Sequence, residues 1–439
     1  MISLKTLTKK TRDKQSCGVQ SCVPDAARYR ILASEMDDQL PPHVLRCWFP
    51  RAMDTQRGGF HQNFARDWKR TKDNERSLIH QSRQIWLAAQ AALHDASQKT
   101  QWLSYAHHGF EFLSTQLWDN DAGGFFWALD TQGTPVHGGE KHVCGLAFAI
   151  FALSDYHLAS GDPRALQLAQ HTFEWLEEQA YDDVHGSYHE ALDRAGRRIL
   201  KARDARRLND LIGTRFGRKS SNTILHLLEA FAALLRVWPE ELLATRQKQL
   251  LALARDTLMV SPGTLPPSFD PDWQNPSGIR SYGHDVETAF LLLDAAASLG
   301  KPHDDATWQA AQQLTDQVLD HAWDARYGGC FDVTDERGKL RSDQKVWWVQ
   351  AEACHTFLLL HEKFGGQTLR YWDAFLRQWH FIVAHQLDHR YGGWHHTVSR
   401  RGRPLRGQLK SNCWTDGYHQ GRALMNMARQ LRRMAGCSS

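Results

Sequence analysis

Five times along this chain an acidic residue is followed, a few positions later, by a glycine turn and then an aromatic. The copies are Asp54…Gly58-Gly59-Phe60, Asp119…Gly123-Gly124-Phe125, Asp182…Gly186-Ser187-Tyr188, Asp324…Gly328-Gly329-Cys330-Phe331 and Asp388…Gly392-Gly393-Trp394. The first three turns are 65 and 63 residues apart, the last two are 64 apart, and 142 residues separate Gly186 from Gly328. That wide gap has room for one degenerate copy. A period of about 65–70 residues marks a repeat architecture, in which no unit can bury its apolar face alone. Four copies are followed by a further glycine (Gly133, Gly196, Gly338, Gly402), which suggests a short hairpin in each. Apolar segments of helical period lie between the hairpins. Six two-helix units closing on themselves predict an all-α (α/α)6 barrel, a toroid of six helical hairpins with short β-hairpins at one face and one mouth for a site.

A ring needs all of its units, so residues 25–439 are expected to form one domain, although length alone suggests two or three. Residues 1–24 read as a polar, basic tail without the apolar stretch of a secretory signal. No apolar run of about 18 residues is evident, so no membrane span is expected. The net charge of +4 gives no nucleic-acid footprint, and the basic clusters Arg203–Arg207 and Arg215–Lys219 read as a solvated loop. Eight scattered cysteines without paired metal spacing fit a reducing, cytoplasmic setting.

Helical periodicity is clearest from Ser77 to Ala92, Val143 to Leu158, Asn222 to Val237, Asp285 to Leu299, Val346 to Leu360 and Tyr418 to Arg432. The most apolar of these should line the inner ring, so polar residues inside them each need a partner or a ligand. Arg83 lies in the first. His226 and Glu229 lie three apart in the third, and His284 and Glu287 repeat that spacing around the start of the fourth. His419 opens the last. A single His–Glu pair reads as a structural hydrogen bond; two pairs and a third histidine converge on a site.

Three chemistries compete for such a site. A di-metal centre held by His-x-x-Glu units lacks an HExxH or cysteine cluster, so no metal or other cofactor is expected. A glycan hydrolase would need an acid pair, for which Glu229, Glu287 and Glu352 are available. Several histidines with an arginine suit proton transfer at a carbon beside a carbonyl, because a neutral imidazole of pKa ~6.5 can take and return a proton and a guanidinium can hold the developing oxyanion. A non-catalytic helical adaptor is the bland alternative. Among seventeen tryptophans, some could offer flat faces to sugar C–H surfaces.

At these residues the chain resembles the N-acylglucosamine 2-epimerase superfamily, particularly its cellobiose- and mannose-epimerising branch. The segments are Gln81-Ser82-Arg83-Gln84-Ile85-Trp86, Asn222 to Ala230, Ser281-Tyr282-Gly283-His284-Asp285-Val286-Glu287, Lys345 to Glu352, and Trp414 to Arg422. The resemblance implies an (α/α)6 barrel and a cofactor-free reaction through a cis-enediol. It implies His284 and His419 as acid/base residues on opposite faces of C2, His226 in ring opening, Arg83 on the enediolate and Glu287 in support of His284. Asn222, Trp347, Trp414, Glu352, Lys141 and Glu229 would bind the sugar. The implied activity is C2 epimerisation of glucose- and mannose-type sugars, with mannose–fructose isomerisation as the alternative. The expected partner is a small sugar only, with a monomer or homodimer. Departures from the family pattern fall at Cys144, Leu146, Ile224, His395-His396 and Thr415-Asp416-Gly417.

Overall fold

The computed structural model describes residues 24–72, 75–202, 204–335 and 339–437. Nearly all of the expected tail, with Cys17 and Cys22, and also Arg203 and Gly338, lie outside the described residues. Among the described residues, twelve helices of twelve residues or more follow one another: α1 (Ala26–Leu40), α2 (Leu78–His94), α3 (Lys99–Phe112), α4 (Val143–Ser160), α5 (Pro163–Gln179), α6 (Ser221–Val237), α7 (Glu241–Ala252), α8 (Tyr282–Ser298), α9 (Asp305–His321), α10 (Trp347–Phe364), α11 (Arg370–Phe381) and α12 (Tyr418–Met434). The even-numbered helices pack side by side in order, and α12 returns to α2, closing an inner ring. Each odd-numbered helix from α3 to α11 lies outside the inner helix that precedes it, and α1 covers α12. The chain is thus an (α/α)6 barrel.

Six antiparallel contacts join successive units at one end of the ring. Four are two-stranded ladders: β1 (Glu75–Ser77) with β2 (Ala128–Asp130), β3 (Lys141–His142) with β4 (Ala191–Leu192), β5 (Lys219–Ser220) with β6 (Ser268–Phe269), and β7 (Lys345–Val346) with β8 (Thr397–Val398). The fifth is the bridge Ser281–Val333, and the sixth, Phe64–Ser411, ties the first unit to the last. Hairpins follow at Leu129–Pro135, Leu192–Arg198 and Val398–Pro404, around Gly133, Gly196 and Gly402.

The repeated Asp–Gly turn is a clamp. In all five copies the aspartate N–H donates to the carbonyl five residues on, and one carboxylate oxygen accepts two backbone N–H groups of the turn. The other oxygen takes a buried cation two residues before an inner helix, or eight before α12: Arg76 on Asp54 at 2.6 Å, Lys141 on Asp119 at 3.2 Å, Lys219 on Asp182 at 2.7 Å, Lys345 on Asp324 at 3.0 Å and Lys410 on Asp388 at 2.9 Å. A second glycine is favoured because the turn carries positive φ at two successive residues, for instance 68° and 69° at Gly123 and Gly124, although Ser187 takes the second place in the third copy with φ 75°. The degenerate copy is Ser261-Pro262-Gly263-Thr264, paired end to end. It has no aspartate, and Arg280 instead donates to the Gly263 carbonyl and to Asp285, at 2.9 Å, in the first turn of α8.

The inner helices match their expected spans to within a few residues, with one informative difference. Helix α8 begins at Tyr282, so His284 stands in its first turn rather than in a loop, because the Ser281 hydroxyl caps it by accepting the His284 N–H at 3.2 Å. Helix α4 is also long and apolar enough to pass for a membrane span, contrary to expectation. Its place in the ring accounts for that composition: neighbouring helices bury it on almost every side. Nor are the basic clusters only solvated. Arg207 forks onto Glu140 at 2.9 and 2.7 Å, and Arg218 pairs with Asp270.

Candidate active site

A cavity of about 1170 Å³ opens at the N-terminal ends of the inner helices, on the hairpin side of the ring. Its floor brings together Arg83 of α2, His226 of α6, His284 and Glu287 of α8, Trp347 and Trp348 of α10 and His419 of α12. Asn222 and the 37 % exposed Trp414 stand on its wall. Segments around 209–218 and 265–279, which the hairpins carry, form the rim.

The two histidines at the openings of α8 and α12 flank one indole. Trp348 lies 5.2 Å from the His284 ring and 5.4 Å from the His419 ring, centre to centre. This packing requires Gly283, since a Cβ there would lie 2.4 Å from Trp348. Burial lowers the proton affinity of both imidazoles against the opposing pull of Glu287, and for His419 Arg83 and Arg422 add to the lowering. Both are therefore neutral near pH 7. His419 Nδ1 sits 2.7 Å from Glu352 Oε1; with the carboxylate accepting, Nδ1 carries the hydrogen and Nε2 keeps its lone pair. His226 Nδ1 lies 3.4 Å from Glu229 Oε2, and its ring packs 4.3 Å from Phe148.

Beneath the histidines lies a knot of charge. Arg422, one helical turn after His419, donates to Glu287 at 2.7 Å, to Glu352 at 2.8 Å and to Glu229. Tyr418 donates to Glu229 at 2.6 Å. Burial pushes the Glu229 carboxyl up, but Arg422 and then His226 pull it down to about 2. Burial raises Glu352 against the pull of Arg422. Glu287, Glu352 and His419 are close enough for a metal to bridge them, but the positive charge among them is the Arg422 guanidinium. A second buried trio, His142, Glu190 and Asp210, is satisfied internally: His142 Nδ1 accepts the Cys144 N–H, its Nε2 meets Asp210 at 3.1 Å, and Glu190 accepts from Ser220 and Thr223.

Several expected positions change meaning. Lys141 is buried in the second clamp, bonded to Asp119, Gly123 and Arg194, and does not reach the cavity. Glu229 and Glu352 sit behind the cavity floor and hold His226 and His419. Glu287 shares a helix with His284 but turns its carboxylate to Arg422, 3.7 Å from His419 Nδ1. The departure at Asp416 puts a carboxylate 3.6 Å from Arg83, whose guanidinium lies over the Phe148 and Tyr418 rings. Reading the sequence missed Trp348, Tyr418 and Arg422. The Trp347-Trp348 doublet and the spacing of Arg422 one turn after His419 were the available signals.

The family model for N-acylglucosamine 2-epimerase (GlcNAc 2-epimerase) matches residues 58–423. A cellobiose 2-epimerase of Ruminococcus albus is 31% identical over 404 residues, covering 90% of this chain and 98% of that one. A D-mannose isomerase of Marinomonas mediterranea is 26% identical over 393 residues, covering 85% and 91%. The structure of cellobiose 2-epimerase from Spirochaeta thermophila superposes with a TM-score of 0.83 at 30% identity, covering 93% and 98%. Fold, site and likeness together define an enzyme of the isomerase class. The chain belongs to the N-acylglucosamine 2-epimerase family.

Proposed function

We propose that this enzyme inverts C2 of glucose- and mannose-type sugars through a cis-enediol, with His284 and His419 as the two acid/base groups. The observation that carries this reading is the pair of imidazoles flanking Trp348 at one cavity floor, with a guanidinium beside them. His226 assists ring opening. One imidazole then takes the C2 proton, and the electrons of that C–H bond move into the C1–C2 bond as the carbonyl electrons move onto the C1 oxygen. Arg83 steadies that oxygen. The second histidine, protonated by exchange with solvent, returns a proton to C2 from the other face, and the aldehyde re-forms. Trp347 and Trp414 offer stacking faces, and Asn222 a polar contact. In this reading residues 25–439 act as one domain on a small sugar.

The D-mannose isomerase relative favours a second outcome of the same enediol, in which the proton returns to C1 and yields fructose. NMR of the protein with D-mannose in D₂O, cellobiose alongside, separates them. Glucose labelled at C2 supports the epimerase, with faster turnover of cellobiose assigning a disaccharide. Fructose labelled at C1 makes it an isomerase, and no change in either sugar refutes both readings for these substrates.

A further inference from the structure

We propose that Arg422 is a positioning residue that holds the carboxylates behind the acid/base histidines in register, and that it can be reached from a second cavity on the opposite side of the ring. The inference rests on the proposed roles of those histidines and extends them to a residue that touches no sugar. Arg422 is 3 % exposed and donates to Glu229, Glu287 and Glu352, one from each of α6, α8 and α10. Two of these carboxylates hold the imidazoles of His226 and His419. One guanidinium thereby spans half the inner ring, and its planar fork is suited to several carboxylates at once in a way an ammonium is not.

The second cavity, of about 790 Å³, lies among the C-terminal halves of the inner helices. Arg422 and Glu229 line it, as do Phe290, His355 and Arg429. Arg422 thus lines the second cavity and bonds Glu287, which lines the first, and its Nε has no hydrogen-bond partner. His419 is faced by Glu287 from α8, Glu352 from α10, Arg83 from α2, His226 from α6 and Arg422 and Tyr418 from its own helix. Phe148 of α4 packs on Tyr418 and His226 and adds no charge. Removing the Arg422 charge leaves carboxylates dominant around His419, so its imidazole should protonate at higher pH.

The test compares Arg422→Lys, Arg422→Gln and Arg422→Ala. Turnover of the sugar established for the wild type should fall by about 10²-fold with KM little changed, as expected when reacting groups are displaced by ångströms. The acid limb of the pH–rate profile should move upward in Arg422→Gln, and His419 should titrate higher by NMR in the sugar-free protein. Ethylguanidinium at millimolar concentration, entering from the rear cavity, should restore part of the activity of Arg422→Ala without competing with sugar. Unmoved limbs and titration, with no rescue, would show Arg422 to be structural only. If Arg422→Ala does not fold, Arg422→Lys, which keeps the charge but not the planar fork, decides: retained turnover overturns the proposal, and lost turnover with KM kept supports it. The sugar-free titration separates failure of this inference from failure of the epimerase reading.

Discussion

The clamps at the rim and the charge knot at the floor use the same residue types to opposite ends. In a clamp, each aspartate has at least one cation on one oxygen and two backbone N–H groups on the other, so almost every valence is used. Asp119 shows the result: burial pushes its carboxyl up, but Arg194 and Lys141 bring it down to about 2. At the floor a single guanidinium serves three carboxylates, and Glu352 Oε2 is left without a partner. The clamps are saturated and fix the chain; the floor is under-supplied with positive charge and leaves its histidines sensitive to it. Buried ion pairs thus differ by how completely they are satisfied, not by depth.

That contrast can be broken at the floor first. His284→Ala or His419→Ala should lower turnover by at least about 10²–10⁴-fold while the circular dichroism and melting curve stay near wild type. A variant of either that keeps near-normal turnover would rule out the proposed mechanism. The next largest effect falls on the clamps. Lys141→Met or Lys345→Met strips a buried aspartate of its buried cation, leaving only the half-exposed Arg194 or Arg400 on it, and should cost about 1.5–3 kcal/mol in urea unfolding. The surviving folded enzyme should keep its kcat, since neither lysine reaches the cavity.

Acid separates the regions further. Asp119 binds its proton less tightly in the folded state than in the unfolded one, so its contribution is present above the ordinary carboxylate range and is lost as pH falls through about 2. Asp119→Asn should therefore flatten the acid-unfolding curve below about pH 4, a change measurable by fluorescence. An unaltered curve would mean the clamp does not control acid stability. The smallest effect is expected at the mouth, where Trp414→Ala should raise KM more than it lowers kcat if stacking is equal in ground and transition states. Equal losses in kcat and kcat/KM would assign the indole to the transition state instead.

The repeat, the ring and its inner helices were readable because period and apolar spacing are properties of the chain itself. Even the degenerate copy was expected in the gap where Gly263 stands. Partnerships across the ring were not readable. The i, i+3 spacing of His284 and Glu287 suggested a pair, but Arg422 comes from α12 and draws the carboxylate away. Lys141 was expected to bind sugar from the family resemblance, yet it stands just before an inner helix, as Arg76, Lys219 and Lys345 also do. Read as a set, these cations signal the clamp, since a position repeated around every unit serves the scaffold more naturally than one site. The rim could not be resolved because its segments have little regular structure and no period.

The Phe64–Ser411 bridge has a consequence for biogenesis. The helix carrying His419 and Arg422 is the last of the inner six to leave a ribosome, while Glu229, Glu287 and Glu352 have already been made. Until it docks, those three acids lack the guanidinium that joins them in the finished ring. The final inner helix thus supplies both the charge that joins α6, α8 and α10 and the second of the two proposed acid/base histidines, so one late-made segment completes the floor.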